Sequence, residues 1–599
     1  MYQQVKFGVH IDRDQINTFP QAQLNGSFQF YGTETGSDFA DFLLGVASQY
    51  NQNALRPFYE RNNYLGAYGE DSWNVRSGLT LNVGVRWDRI EPWWEKYNNA
   101  MTLVPGEKSQ VFPDAPEGLV FPGDPGIPHT LAPARNLEFG PRLGMSWTPR
   151  FEDRSLPGRL LGTSSVIHAG LGIYYTAIPG ETLSLLSDNA PYGFTYSSPA
   201  PPLFDTPFVD AATGNSEGQR FPAKLAPLNV SRQNPDSNVD WSQFEPIAAV
   251  PGYSPANKTP YAEEYRLSIE RRIGKVALLE VGYAGNQAHR LLVLKAANPG
   301  DPALCLSLSG ASDVSADSST CGPFGESTTY ISAAGVSVNG TRGPFGPAFG
   351  SVSTQATIGN SSYNALQANL RVVDKWGQLL AGYTYAKSID MGSNFGDHVN
   401  PFDPRLSRAL SAFDLRQNLV VSFVLSEGLS KHVCAWLGKG WELSSIARAS
   451  TGFPVTLINN GDTSLWGTQS NGVNTLPVDL PNYKYSGGAL SFHRNPRTSS
   501  TYFDTARFSL PSIGDPGNAR RRFFSGPGMD NIDMSMQKAV SIGESLGITV
   551  RLEAFNVLNH TQFFGPEAVN GNVTDAAEFG HVVSAQSPRL MQLSLKLAF

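Results

Sequence analysis

The chain has few charged residues and no long apolar run. Only 16% of its 599 residues are charged, compared with about 25% in typical globular domains. No uninterrupted apolar stretch reaches the length of about 18 residues that a transmembrane helix requires. The net charge of −7 gives no sign of a basic surface, so nucleic acid is not an expected partner. These absences exclude a helical membrane protein and argue against an ordinary soluble domain.

The sequence also lacks the short motifs that carry common catalytic and metal chemistry. It contains no G-x-x-x-x-G-K-[ST], H-E-x-x-H, G-x-S-x-G or C-x-x-C pattern. Its nine histidines are scattered, and loop aspartates such as Asp313 and Asp317 lack the ordered spacing of a calcium loop. We therefore expect no enzymatic activity, no catalytic residue, no cofactor and no metal site.

Cysteine is scarce, with three residues at Cys305, Cys321 and Cys434. The first two lie in a segment rich in serine and glycine, which offers no core in which to bury a thiol. We predict a disulfide between Cys305 and Cys321, formed in an oxidising compartment, with two unpaired thiols as the alternative. Cys434 has no evident partner.

The N-terminus lacks the charged and apolar regions of an export signal. Instead, Val5, Phe7, Val9 and Ile11 already alternate with polar residues, as they do in a strand. We expect the chain to begin inside a β-domain, with the signal peptide outside these 599 residues.

Apolar side chains alternate with polar ones in many segments of about ten residues. The C-terminal segment is the clearest, since Met591, Leu593, Leu595, Leu597 and Phe599 share one face while polar residues and Ala598 share the other. The composition is that of a β-protein, with 59 glycines, 11% aromatics and a mean hydropathy of −0.24. We predict about 15 strands, at roughly 2–12, 23–31, 60–74, 79–89, 141–149, 165–176, 261–273, 276–288, 363–373, 379–388, 415–426, 440–450, 529–540, 546–557 and 590–599.

The connections between these strands separate a membrane barrel from a soluble sandwich. From residue 75 onward, short connections alternate with long ones rich in proline, glycine and serine. Outer-membrane barrels sort their loops in this way, with short periplasmic turns and long extracellular loops. We therefore predict that residues 1–599 form an all-β, antiparallel transmembrane β-barrel of a bacterial outer membrane. The long loops could be ordered or partly disordered, and the sequence does not separate the two.

Several charged side chains fall on the strand face that would line the barrel lumen. These side chains could contact a passing ligand, but we favour the interpretation that they pair with each other or with a plug. The residues are Arg86, His168, Glu270, Arg371, Arg551 and Glu553. Arg520, Arg521 and Arg522 could form an anion site in an outer loop, with contacts to lipopolysaccharide or to a neighbouring loop as the favoured alternative. Tyrosines and tryptophans near strand ends fit aromatic girdles at the membrane surfaces; they are Trp87, Tyr174, Tyr175, Tyr383, Tyr385 and Trp441.

Short stretches that carry a family resemblance are spread in a consistent order over nearly the whole chain; they include residues 38–45, 64–73, 79–87, 259–268, 362–367, 383–390, 413–417, 502–505, 526–530, 551–560 and 588–592. In these stretches the chain resembles the barrel of TonB-dependent receptors, in particular the Oar-like group found in Acidobacteria and related bacteria.

The resemblance implies parts that these residues do not supply. The family has a barrel of about 22 strands, an internal plug, a TonB box and, in this group, an N-terminal regulatory-like domain. We expect the signal peptide, that domain, the plug and the first strands to be absent here, so that residue 2 begins about the eighth strand and runs inward. The resemblance also implies that Phe599 is the C-terminal aromatic read by the outer-membrane assembly machinery.

A transporter is the first functional hypothesis that follows. The whole protein would take up a bulky nutrient, such as a metal chelate, an oligosaccharide or a peptide, and would contact the TonB complex only through its N-terminal part. Outer-membrane lipid and lipopolysaccharide would surround it. An adhesion, surface or export role is the alternative that the resemblance allows. We also expect these residues alone not to perform energised uptake.

The strand count predicts a difficulty in closing the barrel. Bacterial single-chain barrels avoid odd numbers of strands, and an incomplete barrel leaves two unpaired edges in lipid. We therefore expect an open or strained seam between the strand at 2–12 and the strand at 590–599.

Overall fold

Long antiparallel strands dominate the computed structural model. It describes residues 2–599 apart from 19–22, 54–56, 150–163, 187–188, 194, 199–201, 210–213, 216–232, 248–251, 311–328, 332–336, 395, 427–438, 469–477, 494–499 and 544–545. Its main sheet has 18 strands, of which four are two-residue segments at Trp94–Glu95, Gly252–Tyr253, His398–Val399 and Ala409–Leu410.

The other 14 strands form one continuous ladder in chain order. They are β1 (Tyr2–Thr18), β2 (Phe58–Arg76), β3 (Leu79–Ile90), β4 (Glu138–Trp147), β5 (Ser165–Tyr175), β6 (Tyr261–Ile273), β7 (Ala277–Ala296), β8 (Ser353–Asp374), β9 (Gly377–Asp390), β10 (Gln417–Leu425), β11 (Trp441–Ser450), β12 (Met529–Ile542), β13 (Leu546–Phe555) and β14 (Leu590–Ala598). Each pairs antiparallel with the next. The predicted fold class is confirmed.

One predicted strand, at 23–31, is wrong as a barrel strand. Only Ser27–Gln29 is extended there, and it pairs with Gln49–Asn53, which pairs in turn with Thr195–Ser197. Three residues are far too short for a membrane crossing, which needs about 9–11. The alternation in this segment instead packs Phe28 against Phe204, with ring centroids 4.7 Å apart.

The ladder has two open edges. Among the described residues, β1 pairs only with β2, and β14 pairs only with β13. The predicted open seam is therefore confirmed. The odd strand count is wrong, however, because 14 strands replace the expected 15. The direction of the first strand is wrong as well, since β1 leads into the long connection 19–57 and not into a short turn.

The two kinds of connection lie at opposite ends of the sheet. Residues 77–78, 148–164, 274–276, 375–376, 426–440 and 543–545 connect strands at one end. The connections 19–57, 91–137, 176–260, 297–352, 391–416, 451–528 and 556–589 lie at the other, which we call the long-loop end. Gly78, in one of the two connections of only two residues, has φ of +81°, a left-handed conformation that glycine adopts without strain.

The two faces of the sheet differ in polarity, as the alternation predicts. Apolar side chains of one face are exposed, among them Phe7 at 85% and Leu593 at 73%. Val83, Leu143 and Leu171 lie side by side on this face across three strands. A sheet that exposes such side chains in rows suits a hydrocarbon environment, because water would leave this apolar area unburied.

The long connections fold into packed layers with their own apolar cores. The first loop core joins the connections 91–137, 176–260 and 297–352, and consists of Met101, Leu103, Val111, Phe112, Leu119, Phe121, Ala190, Tyr192, Trp241, Ile247, Phe349 and Val352. The second loop core joins 451–528 to 556–589, and consists of Val455, Leu457, Tyr483, Phe503, Phe508, Ala519, Phe524 and Val569. In their described parts, the long loops are ordered.

Helices and small strands complete these loops. The α-helices are Asp38–Leu44, Glu181–Ser184 and Pro302–Gly310, and the 3₁₀ helices are Trp241–Phe244, Pro404–Ser407 and Thr505–Arg507. Further short strands are Thr102–Leu103, Leu119–Val120, Thr329–Ile331, Ser337–Asn339, Asn482–Tyr483 and Phe508–Ser509. Within the described part of the chain, no helix has the length and apolarity needed to cross a membrane.

Candidate functional site

The polar face of the sheet encloses a cavity. Side chains from eight consecutive strands, β1 to β8, line a space of about 630 Å³. Lys6 of β1 and Tyr363 of β8 lie on the same cavity although six strands separate theirs in the ladder. The sheet is therefore strongly curved, with its polar face on the concave side and the exposed apolar face on the convex side.

Charged groups on this concave face are paired, either across neighbouring strands or within one strand. Lys6 Nζ lies 3.5 Å from a carboxylate oxygen of Glu70, which is its partner in register between β1 and β2. Arg86 Nε donates to Asp88 Oδ1 at 2.8 Å, and the Tyr64 hydroxyl is hydrogen-bonded to both residues. Such pairs keep the wall close to neutral while leaving polar atoms available to water or a ligand.

Two further cations line the cavity from β4 and β6. The guanidinium carbon of Arg142 lies 4.7 Å from the centroid of the Tyr174 ring. The ring attracts the positive charge of the arginine through a cation–π interaction. Arg266 Nη2 lies 2.5 Å from a carboxylate oxygen of Glu280 on the next strand. Its place near a strand end predicted that Tyr174 belongs to an outward aromatic girdle. The prediction is wrong for this residue, because Tyr174 lines the cavity.

Glycine keeps part of this space open. Gly170 lines the cavity between Arg266 on β6 and Gly144 on β4, its partners in register. A Cβ atom at residue 170 would meet no described atom closer than 3.7 Å, the distance to the Leu143 carbonyl oxygen. A larger side chain at this position would therefore project into the cavity without straining the backbone.

The structure brings only some of the predicted lumen residues together. Arg86 lines the cavity, and Arg551 forms a 2.6 Å ion pair with Glu553 on the same strand. His168 is exposed beside Ser268, Glu270 lies opposite Glu280, and Arg371 is exposed between Leu278 and Leu380. The last three do not line this cavity, and for all six a contact with a ligand stays a prediction.

Lys6, Arg142 and Arg266 were not among the sequence candidates. Each falls on the polar phase of an alternating segment, which is the signal that selected Arg86. Their convergence depends on the curvature of eight strands, and alternation within a single segment carries no information about curvature.

Two other predicted residues lie away from the cavity. Cys305 is buried and disulfide-bonded, but its predicted partner Cys321 lies outside the described residues, so the pairing stays a prediction. Phe599 is fully exposed, one residue beyond β14. A role in recognition by the assembly machinery stays a prediction too.

The described residues contain no group of three or more histidine, cysteine, aspartate or glutamate side chains that could hold a metal ion. The arrangement around the cavity consists of paired charges, hydroxyls and amides. These groups can hydrogen-bond a solute and orient water. They can also exclude apolar molecules from the concave face.

A curved antiparallel sheet with an exposed apolar face, a polar concave face and loops sorted by length defines a transmembrane β-barrel protein of the bacterial outer membrane. The chain belongs to the outer membrane beta barrel domain family, whose model matches residues 2–592. No curated protein matches the chain in sequence.

Solved structures that resemble the chain are outer-membrane proteins. The transporter YddB from Escherichia coli is 11% identical with a TM-score of 0.44, over 100% of this chain and 52% of that one. The siderophore receptor PirA from Acinetobacter baumannii is 9% identical with a TM-score of 0.40, over 99% and 55%. The ferripyoverdine receptor of Pseudomonas aeruginosa is 11% identical with a TM-score of 0.36, over 91% and 39%. The chain thus spans about half the length of the first two and less of the third.

Proposed function

We propose that the chain forms a large part of the barrel wall of a TonB-dependent transporter that takes up a bulky nutrient. The observation that carries this proposal is the cavity of about 630 Å³ on the concave face, with charged and polar side chains from eight strands around it. A wall of this kind can pass a hydrated solute, because paired charges and hydroxyls exchange hydrogen bonds with water and ligand alike.

The wall selects its ligand by contacts and performs no chemistry on it. Lys6–Glu70 and Arg266–Glu280 are pairs of opposite charge on two sides of the cavity. Such pairs favour ligands with many hydroxyl, amide or carboxylate groups, which can bridge the two signs. Metal chelates, oligosaccharides and peptides all have this character.

The two open edges of the ladder, at β1 and β14, require further strands in the whole protein. In hydrocarbon, the free backbone groups of β1 and β14 require partners, since water is absent to satisfy them. We infer that further strands complete the barrel, and that a plug and a TonB box in the whole protein couple it to the inner membrane. Energised uptake would then belong to the whole protein and not to these residues alone.

The test is uptake by cells that express the complete gene product. Three radiolabelled probes would be supplied separately: a ferric hydroxamate chelate, a maltodextrin and an oligopeptide. We expect uptake of one probe, and its loss when TonB is deleted. Gly170→Leu should reduce that uptake several-fold, because the new side chain enters the cavity.

Ala169→Leu is the matched control, since residue 169 lies next to Gly170 on the opposite face of the same strand. It should leave uptake unchanged. Uptake that continues at the same rate without TonB would contradict the proposal. Loss of cell adhesion in a deletion strain that takes up every probe normally would favour the alternative surface role.

A further inference from the structure

A second cavity lies at the long-loop end and is lined by cations. Its volume is about 770 Å³, and seven lysine and arginine side chains line it without any aspartate or glutamate among the lining residues. Five of the cations are exposed, namely Lys387, Arg405, Arg408, Arg416 and Arg520, and the other two are the buried Arg521 and Arg522. They come from three separate stretches of chain: the end of β9, the connection 391–416 and the connection 451–528.

The two buried arginines share one carboxylate. Asp397 Oδ2 lies 3.6 Å from Arg521 Nη1 and 3.7 Å from Arg522 Nη2, and all three side chains are at most 3% exposed. Arg522 is also held by Thr456 and Ser393, through hydrogen bonds of 2.9 and 3.1 Å. The buried Asp390 also interacts electrostatically with both arginines, so the excess of positive charge at the cavity comes from its five exposed cations.

Arg521 has unused hydrogen-bonding capacity. Its Nη2 donates to the carbonyl oxygen of His398 at 2.6 Å. Its Nε and Nη1 have no hydrogen-bond acceptor among the described residues, although the side chain is only 3% exposed. Burial lowers the pKa of the Arg521 guanidinium below its ordinary value. Leaving charged donors unpaired in a buried position is expensive, and an anion in the adjoining cavity would satisfy them.

The acids near the cavity are fewer than its cations and neutralise only some of the exposed ones. Asp403 pairs with Arg405 through two hydrogen bonds of 2.9 and 3.0 Å. Asp414 lies close enough to Lys387 and Arg416 to interact electrostatically with both, and Asp390 lies near Arg522. Among the described residues, the side chains of Lys387, Arg416 and Arg520 form no hydrogen bond or ion pair.

Two of the cations lie on the lipid-facing side of the sheet. Lys387 follows Tyr385 by two positions on β9, so both side chains share the convex face on which Tyr385 is exposed. Arg408 donates to the Ser362 hydroxyl at 3.1 Å, and Ser362 shares that face with the exposed Leu366 on β8. In outer-membrane barrels, aromatic residues mark the end of the apolar band on the lipid-facing side. Side chains that lie farther toward the loops are at the level of the lipid head groups.

We propose that this cavity binds a phosphate-bearing anion, and that a phosphate of lipopolysaccharide in the outer leaflet is its source. Guanidinium groups bind phosphate through paired hydrogen bonds, and several cations in one cavity suit a group with more than one negative charge. The site would fix the long-loop end to the membrane surface. This role is independent of nutrient uptake.

The test measures lipid binding by the protein extracted from outer membranes in a non-ionic detergent. The probes are bisphosphorylated lipid A, the same lipid A with its phosphates removed, and inorganic pyrophosphate. The double variant Lys387→Gln/Arg520→Gln removes two exposed cations and leaves the buried Asp397 cluster intact. Lys108→Gln is the control, because Lys108 is an exposed cation of another long loop that does not line this cavity.

We expect bisphosphorylated lipid A to bind, and the dephosphorylated form and the double variant each to bind roughly tenfold more weakly or worse. The Lys108→Gln variant should bind like the unchanged protein. Equal binding of both forms of lipid A, or an unchanged affinity in the double variant, would overturn the proposal. Binding of pyrophosphate without lipid A, if weakened in the double variant, would overturn the lipid source and identify a soluble phosphate-bearing ligand.

Discussion

The strand wall exposes its apolar side chains, whereas the long loops bury side chains of the same types. On the wall, Phe7 is 85% exposed and stands in a row of apolar neighbours. In the loops, Phe112 and Phe503 are fully buried. The wall has its polar side chains inside and its apolar ones outside, whereas each loop core has the arrangement of a soluble domain.

This difference follows from the solvent that each region meets. In hydrocarbon, an exposed phenylalanine is already in an apolar medium, so burying it gains little, and strands are held by their backbone ladders. In water, burial of apolar area is the main driving force for folding. The protein therefore combines two folding principles in one chain, and substitutions should act differently on the two regions.

The largest expected effect is in the second loop core. Phe503 packs against Phe508, Phe524 and Phe579, with ring centroids 5.0 to 5.4 Å apart. Phe503→Ala should lower the local free energy of unfolding of this loop by about 3–5 kcal/mol, because it removes buried area and leaves a cavity. Hydrogen exchange of amides in 451–528 should accelerate, while exchange in the strand ladder stays slow.

Ile513→Ala in the same loop is the matched control for Phe503→Ala. Ile513 is 61% exposed, so its truncation should change exchange very little. Acceleration throughout the strand ladder in Phe503→Ala would show that loops and wall unfold together, and would remove the distinction between the two regions.

A smaller effect is expected for a charge on the wall. Leu366 lies on the convex face near the middle of β8 and is exposed. Leu366→Arg should destabilise folding into phospholipid vesicles by about 2–4 kcal/mol, the range for arginine near the bilayer midplane. Gln367→Arg puts the same charge on the concave face one residue away and should have an effect near zero. Equal losses in urea titrations of the two variants would contradict the assignment of the faces.

The smallest expected effect is a pH dependence within the loops. Asp479 is 3% exposed and accepts a hydrogen bond of 2.8 Å from the Ser464 amide. Burial, reinforced by the negative charge of Asp462, raises the pKa of Asp479 to about 7. Because the folded-state pKa exceeds the unfolded value of 3.8, the stabilisation from the bound proton is complete below that value and is lost as pH rises through about 7.

The measurement for Asp479 is exchange protection of the loop amides, corrected for intrinsic rates. Protection around Ser464 should be greater at about pH 5 than at about pH 8. Asp479→Asn keeps a neutral hydrogen-bonding group and should abolish this difference. A pH dependence that persists in Asp479→Asn would assign the effect to another group.

Local alternation was sufficient to predict most of the wall. Fourteen of the expected strands occur where alternation placed them, because a lipid-facing and a lumen-facing side impose period two on every crossing strand. The same period led to a wrong prediction at 23–31, where Phe28 and Phe30 pack against Phe204 of the connection 176–260. A half-buried loop strand and a short membrane strand produce the same pattern.

The two cavities could be predicted only in part, because their lining residues are far apart in the sequence. Arg86 was identified by its phase, and Arg520–Arg522 by its three consecutive charges. The cavity at the long-loop end is lined by Arg520–Arg522 and also by Lys387 of β9 and Arg416 of the connection before β10. Contacts that span more than a hundred residues depend on loop packing, and no local pattern records them.

The two loop cores have a consequence for recognition at the outer surface. Aromatic residues of the first loop core, such as Phe112, Trp241 and Phe349, hold three connections against one another. A molecule that arrives at the long-loop end therefore meets a surface that is already organised. Little conformational entropy is lost when it binds, since these backbone segments were ordered during folding. Evolution can then change specificity by exchanging single exposed side chains, while the scaffold beneath them keeps its shape.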